Sequence, residues 1–401
     1  RRFPIMTSIT SIECRRLQLP FNQPYVTGAG TLKTTQCVIV RVHTSDGLVG
    51  IGEACPYPTK FQDETPGTVM SVLEEILAPS LIGQNPLHVN DINRIMDAII
   101  PGNPQAKAAI DVACWDILGK KLGAPIYQLL GGPLRTSLDL LWPMGDQTPA
   151  EDTKEVTEKV EEGFKTFMYK MGFYKDIDME IERIATARKV FGKELVIVPD
   201  ANQGFTKDEA IQLLRGLEPL QSKGPLFVEQ PVSKERPQDM VSLQRQTSIP
   251  LSIDESLVTV KDALHFAQQQ GCGVFSVKVV KNGGISKAKE ICGVAKLYGI
   301  PCLFNSMLET GVAQAAALHL AAVTPTLYPS GHCFMSTLRL KDVTTFASSL
   351  IRKDNASGLL KVHLPTGPGL GISLDEEALE MHTVDRRVIT DDKKAWNGKL
   401  E

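Results

Sequence analysis

Four short apolar runs between residues 195 and 278 each end on a charged residue, and their spacing restricts the fold more than any other feature of the chain. Leu195-Val196-Ile197-Val198-Pro199 leads to Asp200, and Leu226-Phe227-Val228 leads to Glu229. Pro250-Leu251-Ser252-Ile253 leads to Asp254, with Glu255 next, and Val274-Phe275-Ser276-Val277 leads to Lys278. Successive charged residues stand 29, 25 and 24 positions apart. A strand plus one returning helix takes roughly 25 to 30 residues. The intervening segments carry helical periodicity; Thr206 to Leu217, for example, opens on a Thr with Glu209 three residues on, the pattern of a capping box. Consecutive parallel strands therefore present one acid each at the same end. In a (β/α)8 barrel that end is the active-site face. Three acids there repel unless a divalent cation sits among them, and oxygen-only donors suit Mg²⁺ or Mn²⁺.

A second lysine approaches from elsewhere. Phe164 to Met171 (FKTFMYKM) places Lys170 at the end of the second barrel strand, with Met168 on the same face and Tyr169 opposite. Strands two and six lie across a barrel from each other, so Lys170 and Lys278 flank whatever is held between them. A C–H beside a carboxylate is a very weak acid, because its removal builds a dianionic enediolate. A cation neutralises that charge as it forms. A partly desolvated lysine near a cation has a lowered pKa and serves as base. Two such lysines on opposite faces permit racemisation or epimerisation; one alone leaves elimination or cycloisomerisation.

The remaining sequence frames this centre. The chain of 401 residues is long enough for a barrel with an added domain. A net charge of −3 argues against nucleic acid or an anionic membrane as the main partner. No apolar run reaches the length of a membrane span, and residues 1–5 lack the apolar core of a signal peptide; Met6 reads as the native start. Eight cysteines without a CxxC pair fit reduced thiols in the cytoplasm. Residues 7–19 read as a strand, and 21–31, with Pro24, as a mobile loop. Residues 36–42 and 48–51 form a hairpin about Ser45-Asp46-Gly47, a second loop follows from Glu53 to Lys60, and 66–99 and 104–122 read as helices. That pattern is a small α+β domain, residues 6–130. Eight strand candidates follow, at 137–142, 164–171, 195–200, 226–229, 250–254, 274–279, 301–305 and about 326–331, making a barrel domain over 131–355. The tail, 356–401, is expected to fold back on the first domain.

These residues resemble the enolase superfamily, specifically its muconate lactonizing enzyme subgroup within the mandelate racemase–muconate lactonizing enzyme family, whose lysine bases and Mg²⁺ are a known pattern. The similarity rests on Gly50-Ile51-Gly52-Glu53, Ala108 to Lys120, Leu130-Gly131-Gly132, Pro199-Asp200-Ala201-Asn202, Val228-Glu229-Gln230-Pro231 and Ile253-Asp254-Glu255-Ser256. Lys278 to Gly284, Ser306-Met307-Leu308-Glu309 and Gly367 to Gly371 extend it over nearly the whole chain. The resemblance implies a modified (β/α)8 barrel, in the TIM-type (β/α)7β form, under an N-terminal α+β capping domain. It implies Mg²⁺ on Asp200, Glu229 and Asp254, with Lys170 and Lys278 as the acid/base pair. Asn202 and Glu255 sit close to the metal, Lys281 is a supporting lysine, and Asn305, Glu309, Tyr25 and Tyr57 stand at strand ends or capping loops near the substrate. Two residues depart from the family pattern: Met168 replaces the first lysine of Lys-x-Lys, and His332 stands where an acid is usual on the eighth strand. The expected activity is an isomerase for a small carboxylate substrate, as racemase or epimerase of an amino-acid derivative or as muconate-type cycloisomerase. The alternative is a dehydratase of a hydroxy-acid or hydroxyproline-like substrate, with His332, Tyr25 or Tyr57 assisting the leaving group. A third reading, a binding protein without catalysis, predicts no metal-dependent exchange. A homo-oligomer is expected by analogy.

Overall fold

The structure is a computed structural model and describes residues 7–27, 30–56, 61, 63–173, 176–334 and 340–391, without the side chains at 25–27 and 30. Among these residues, four strands form the first sheet: β1 (Ile9–Thr27), β2 (Gly30–Thr44), β3 (Val49–Ala54) and β14 (Thr383–Thr390), in the antiparallel order β14-β1-β2-β3. The hairpin between β2 and β3 turns through Gly47 at φ +84°, as the Asp-Gly pair requires. The segment read as a mobile loop, 21–31, is instead a hairpin arm. Tyr25 pairs with Leu32 and Thr27 with Gly30, beyond an irregularity between Pro20 and Tyr25. Pro24 lacks an N–H to give to the ladder and stands inside that irregularity, where a bulge tolerates it.

The helical stretch expected over 66–99 is broken. Pro66–Val72, a π-helical turn at Leu73–Leu77 and Ala78–Leu81 run on to Gly83, whose φ is +82°, and a new helix runs Val89–Ile99. The long helix Pro104–Leu122 lies directly on β3 and ends at Gly123, also at positive φ. Gly50 and Gly52 make that contact possible: a Cβ on them would lie 2.1 Å from the Ala113 carbonyl oxygen and 1.9 Å from that of Ala109. The Gly-x-Gly of the sequence is thus a packing requirement.

The second sheet is parallel and sequential. Its described strands are β5 (Leu141–Met144), β6 (Thr166–Lys170), β7 (Val196–Asp200), β8 (Val228–Glu229), β9 (Leu251–Ile253), β10 (Val274–Val277) and β11 (Cys302–Phe304). Helices between them cover the outside, several opened by capping boxes, at Thr206 as read from sequence and also at Thr148 and Thr259. The eighth position is filled by an irregular segment rather than a strand. Cys302 N–H donates to Thr326 O (2.7 Å), and Leu141 N–H to His332 O (2.8 Å), closing the ring between β11 and β5. Pro325 and Pro329 interrupt this segment, which removes the donors that a regular ladder needs. The result is a modified (β/α)8 barrel with a capping domain. The first expected barrel strand is split: β4 (Ser137–Asp139) leaves the barrel and joins β13 (Leu360–His363) and β12 (Ile351–Lys353). The tail therefore braces the barrel with β13 before β14 reaches the first sheet.

Two carboxylates join the layers. Glu53, at the end of β3, accepts from Thr310 N–H (2.8 Å) and Ala313 N–H (2.9 Å), at the N-terminus of the helix Gly311–Val323. Asp111 accepts from Ser286 N–H (3.1 Å) and from its hydroxyl, in the first turn of the helix Ile285–Tyr298. Acids at helix N-termini satisfy orphan N–H groups and the positive end of the helix dipole. Burial and the nearby Glu309 push the Glu53 carboxyl up to about 8, against its hydrogen bonds.

Candidate active site

Parallel register sets the site. Lys170 pairs with Asp200, Asp200 with Glu229, and Glu229 with Ser252, so neighbouring strands deliver these side chains at one level. Asp254, Lys278 and Asn305 follow β9, β10 and β11 by a single residue or less than a turn. Asp200, Glu229, Asp254 and Glu255 are all buried, as are Lys278 and Lys281. The Lys170 ammonium donates to Asp200 Oδ2. Lys278 donates to Asp254 Oδ2 (2.5 Å) and Lys281 to Asp254 Oδ1 (2.7 Å), with a further Lys281 bond to Ser276 O (3.1 Å). Glu229 accepts from Asn305 Nδ2 (2.8 Å) and the Ser252 hydroxyl (3.4 Å). Asn202 donates to Glu255 Oε1 (3.3 Å) from a backbone at φ +42°, while Glu255 Oε2 is buried without a partner.

The electrostatics follow from this packing. Burial, then the charges of Asp200 and Asp254, hold the Glu229 carboxyl well above the usual carboxylate range. Burial and the same two acids push Glu255 up to about 7. Burial works to raise Asp254, but Lys278 and Lys281 outweigh it and hold it low. Burial works to lower Lys278, but Asp254, Glu229 and Glu255 outweigh it and keep its ammonium above the usual value. For Lys281 burial prevails, and the shift is downward.

The cleft above these groups has an open volume of about 620 Å³. Lys170 and Lys278 both line it, from β6 and β10, which stand opposite each other in the barrel ring. Met168 lines it beside Lys170, and Leu32 reaches it from the hairpin arm. Phe61, Met307 and Leu308 complete an apolar side. Among the described residues, no three Asp, Glu, His or Cys side chains are set around one point at ion-holding distance, since ammonium groups engage Asp200 and Asp254. The donor set nevertheless suits a hard divalent cation: three buried carboxylates on adjacent strand ends, all oxygen, with Glu229 destabilised by its two neighbours.

Several expected positions lie elsewhere. His332 does not face this cleft. Its Nδ1 accepts from Phe304 N–H (3.1 Å) and its Nε2 bonds Tyr328 O (3.2 Å), so the ring latches the irregular eighth segment to β11. Burial pulls its pKa down to about 3, so it is a neutral, doubly bonded imidazole. Glu309 is likewise withdrawn, accepting from Ser306 Oγ (2.8 Å), Met307 N–H and Gln314 Nε2 (2.8 Å) to fold its own loop. Tyr57 and the Tyr25 side chain lie outside the described residues. The sequence reading missed Gln230, whose Oε1 accepts from Asp254 N–H (3.0 Å) and Ser256 N–H (3.2 Å), clamping the 254–256 turn. It also missed Arg183, which bonds the Lys170 carbonyl from behind (2.8 Å). Gln230 stands beside Glu229 in the Val228-Glu229-Gln230-Pro231 run, whereas nothing local marks Arg183 as part of a site.

Comparison with known proteins decides the family. The mandelate racemase / muconate lactonizing enzyme N-terminal domain model matches residues 10–131, and the enolase C-terminal domain-like model matches 151–378. The chain belongs to the enolase superfamily. Within it, the chain is similar to an N-succinyl-L-Arg/Lys racemase of Bacillus cereus, 30% identical over 95% of this chain and 99% of the relative. It is also similar to a cis-3-hydroxy-L-proline dehydratase of Roseibium aggregatum, 31% identical over 91% and 96%. A solved dipeptide epimerase from Cytophaga hutchinsonii, complexed with Mg and the dipeptide D-Ala-L-Val, superposes with a TM-score of 0.85 at 27% identity, covering 96% of this chain and all of that one. Superfamily isomerases recur among the relatives, as racemases, epimerases and cycloisomerases. The chain is an enzyme with enolase-type catalysis, and the superfamily implies a divalent metal. Among the described residues no helix is long and apolar enough to cross a membrane.

Proposed function

We propose that this enzyme is a Mg²⁺-dependent isomerase that moves the proton α to a substrate carboxylate, as a racemase or epimerase of an amino-acid derivative or as a muconate-type cycloisomerase. One observation carries the reading: two lysines on opposite strands, Lys170 and Lys278, line the same cleft above the same three acids. In this reading Asp200, Glu229 and Asp254 hold the cation, which supplies positive charge against the growing enediolate. Asn202 and Asn305 fix Glu255 and Glu229 by hydrogen bonds, and Lys281 keeps Asp254 ionised and oriented. Lys170 and Lys278 give up their carboxylate partners; the one that has released its proton to solvent takes the α-proton as a neutral amine, while the other, still an ammonium, delivers its proton to the opposite face. The apolar side of the cleft, with Met168, Met307 and Leu308, excludes water from the reacting carbon.

The runner-up is a dehydratase, favoured by the hydroxyproline dehydratase relative. His332 is no help to a leaving group there, as both its nitrogens are bonded to backbone. We also propose residues 6–130 as the capping domain and 131–355 as the catalytic barrel, a cytoplasmic location and a homo-oligomer. The eight cysteines, all buried, support a reducing compartment.

The test is a panel of N-acylated amino acids, dipeptides, proline derivatives and muconates, followed in D₂O by NMR with Mg²⁺ present. Wash-in of deuterium with inversion supports the isomerase, and loss of water supports the dehydratase. Exchange that persists at both faces in Lys170→Ala and in Lys278→Ala removes the lysines from the reaction.

A further inference from the structure

We propose that Arg183 is a positioning residue for Lys170, holding the backbone of that lysine so that its amine meets one face of the substrate; this rests on the acid/base roles just proposed. Arg183 lies in the helix Ile177–Phe191 and its side chain is wholly buried. Every face of its guanidinium is used. Nε and Nη2 donate to the two oxygens of Asp152 (2.7 and 3.2 Å), and Nη2 also reaches Gly145 O (3.0 Å). Nη1 donates to Glu180 (2.8 Å), to Asp146 (3.1 Å) and to the carbonyl of Lys170 (2.8 Å).

The acids around it extend the grip. Glu180 Oε1 accepts from Gly172 N–H (2.9 Å), and Asp146 Oδ2 accepts from Phe173 N–H (2.9 Å). Three peptide groups at and just after Lys170 are thereby fixed by one buried cluster. Gly172 sits at φ +86°, and a Cβ there would stand 3.2 Å from Gly204 Cα, so the turn is also wedged against the loop after β7. The guanidinium lies 5.6 Å from the ring of Tyr169, on the face of β6 turned away from the cleft. The ammonium of Lys170 is at the end of four flexible bonds and can change partners. Its carbonyl, and hence its Cα, cannot shift without breaking the cluster. An amine that must reach one reacting proton needs that fixed root, since displacement by about 1 Å costs on the order of 100-fold in rate. Lys278 has no part in this cluster; Asn282 Oδ1 holds its N–H instead (2.9 Å).

The prediction is therefore face-specific. Each enantiomer of an exchanging substrate is followed separately in D₂O with the Mg²⁺-loaded enzyme, for wild type, Arg183→Met, Asp146→Ala and Lys170→Ala. Lys170→Ala identifies the enantiomer served by Lys170. Arg183→Met is expected to slow exchange of that enantiomer about 100-fold, with kcat falling more than KM rises, while the other enantiomer changes less than about threefold. Asp146→Ala frees Phe173 N–H and removes one acceptor from Arg183 while leaving its bonds to Asp152, Glu180 and the Lys170 carbonyl, and is expected to show the same asymmetry at about tenfold, which keeps the test alive if Arg183→Met does not fold by circular dichroism. Equal loss at both faces, or no loss in either variant, overturns the inference while leaving the lysine roles intact. Unchanged exchange at both faces in Lys170→Ala overturns the inference together with the base assignment.

Discussion

Two buried charge clusters stand back to back across β6, and they are built from different cations. At the mouth, Asp200, Glu229, Asp254 and Glu255 meet Lys170, Lys278 and Lys281. Behind β6, Asp146, Asp152 and Glu180 meet Arg183. Lysine is a point charge on a flexible stem, and its bonds are readily exchanged. Arginine is a rigid planar fork whose donors are here all committed to fixed acceptors. The mouth cluster can therefore trade ammonium groups for another cation and return, whereas the rear cluster holds its shape. The kind of cation separates moving parts from mounting.

The largest expected effects break the mouth cluster. Removing the metal with a chelator, or substituting Glu229→Gln, is expected to lower turnover by about 10³-fold or more, with Mg²⁺ restoring activity only in the wild type. Lys278→Ala is expected to cost about 10²- to 10⁴-fold at its face, the range for a lost general acid or base. Next in size is stability. Arg183→Met strands three buried carboxylates and is expected to cost about 3–5 kcal/mol in urea unfolding. Lys278→Met leaves Asp254 still paired with Lys281 and is expected to cost under about 2 kcal/mol. Similar losses for the two variants would erase the distinction between the clusters.

A smaller effect separates them by pH. Burial raises Glu180 to about 7, above its unfolded value of 4.5. Its folded form therefore holds a proton that the unfolded form releases, so this stability is complete below pH 4.5 and is lost as pH rises through 7. Unfolding free energies at pH 5 and pH 8, compared between wild type and Glu180→Gln, should differ in slope by about 1–3 kcal/mol; parallel curves would show that Glu180 does not titrate on folding. Smallest is His332→Gln. It is expected to leave exchange within about threefold of wild type and to cost about 1–2 kcal/mol, the scale of a buried hydrogen bond lost. A large loss of exchange would return His332 to the chemistry.

The mouth cluster was legible in the sequence because each acid or lysine ends an apolar run, and parallel register converts that sequence position into a common height. The rear cluster was not. Arg183 follows Glu180 at the spacing of an ordinary helix surface pair, and its other acids lie 31 and 37 residues away, on another helix and loop. The hairpin arm was hidden by Pro24, which reads as loop chemistry although the bulge accepts it. The eighth barrel position was legible as a place but not as a conformation, since its prolines leave only scattered bridges. His332 occupies the expected slot in the chain, but its ring turns to the backbone, and chain position alone does not give side-chain direction.

The carboxylates of Glu53 and Asp111 have a practical bearing on redesign. Each belongs to the lid half of the molecule but finishes the first turn of a barrel helix that begins just beyond a stretch of the cleft wall, after Lys281 in one case and after Met307 in the other. A transplanted lid that altered what enters the cleft, yet lacked acids at these two places, would loosen the floor as it changed the ceiling.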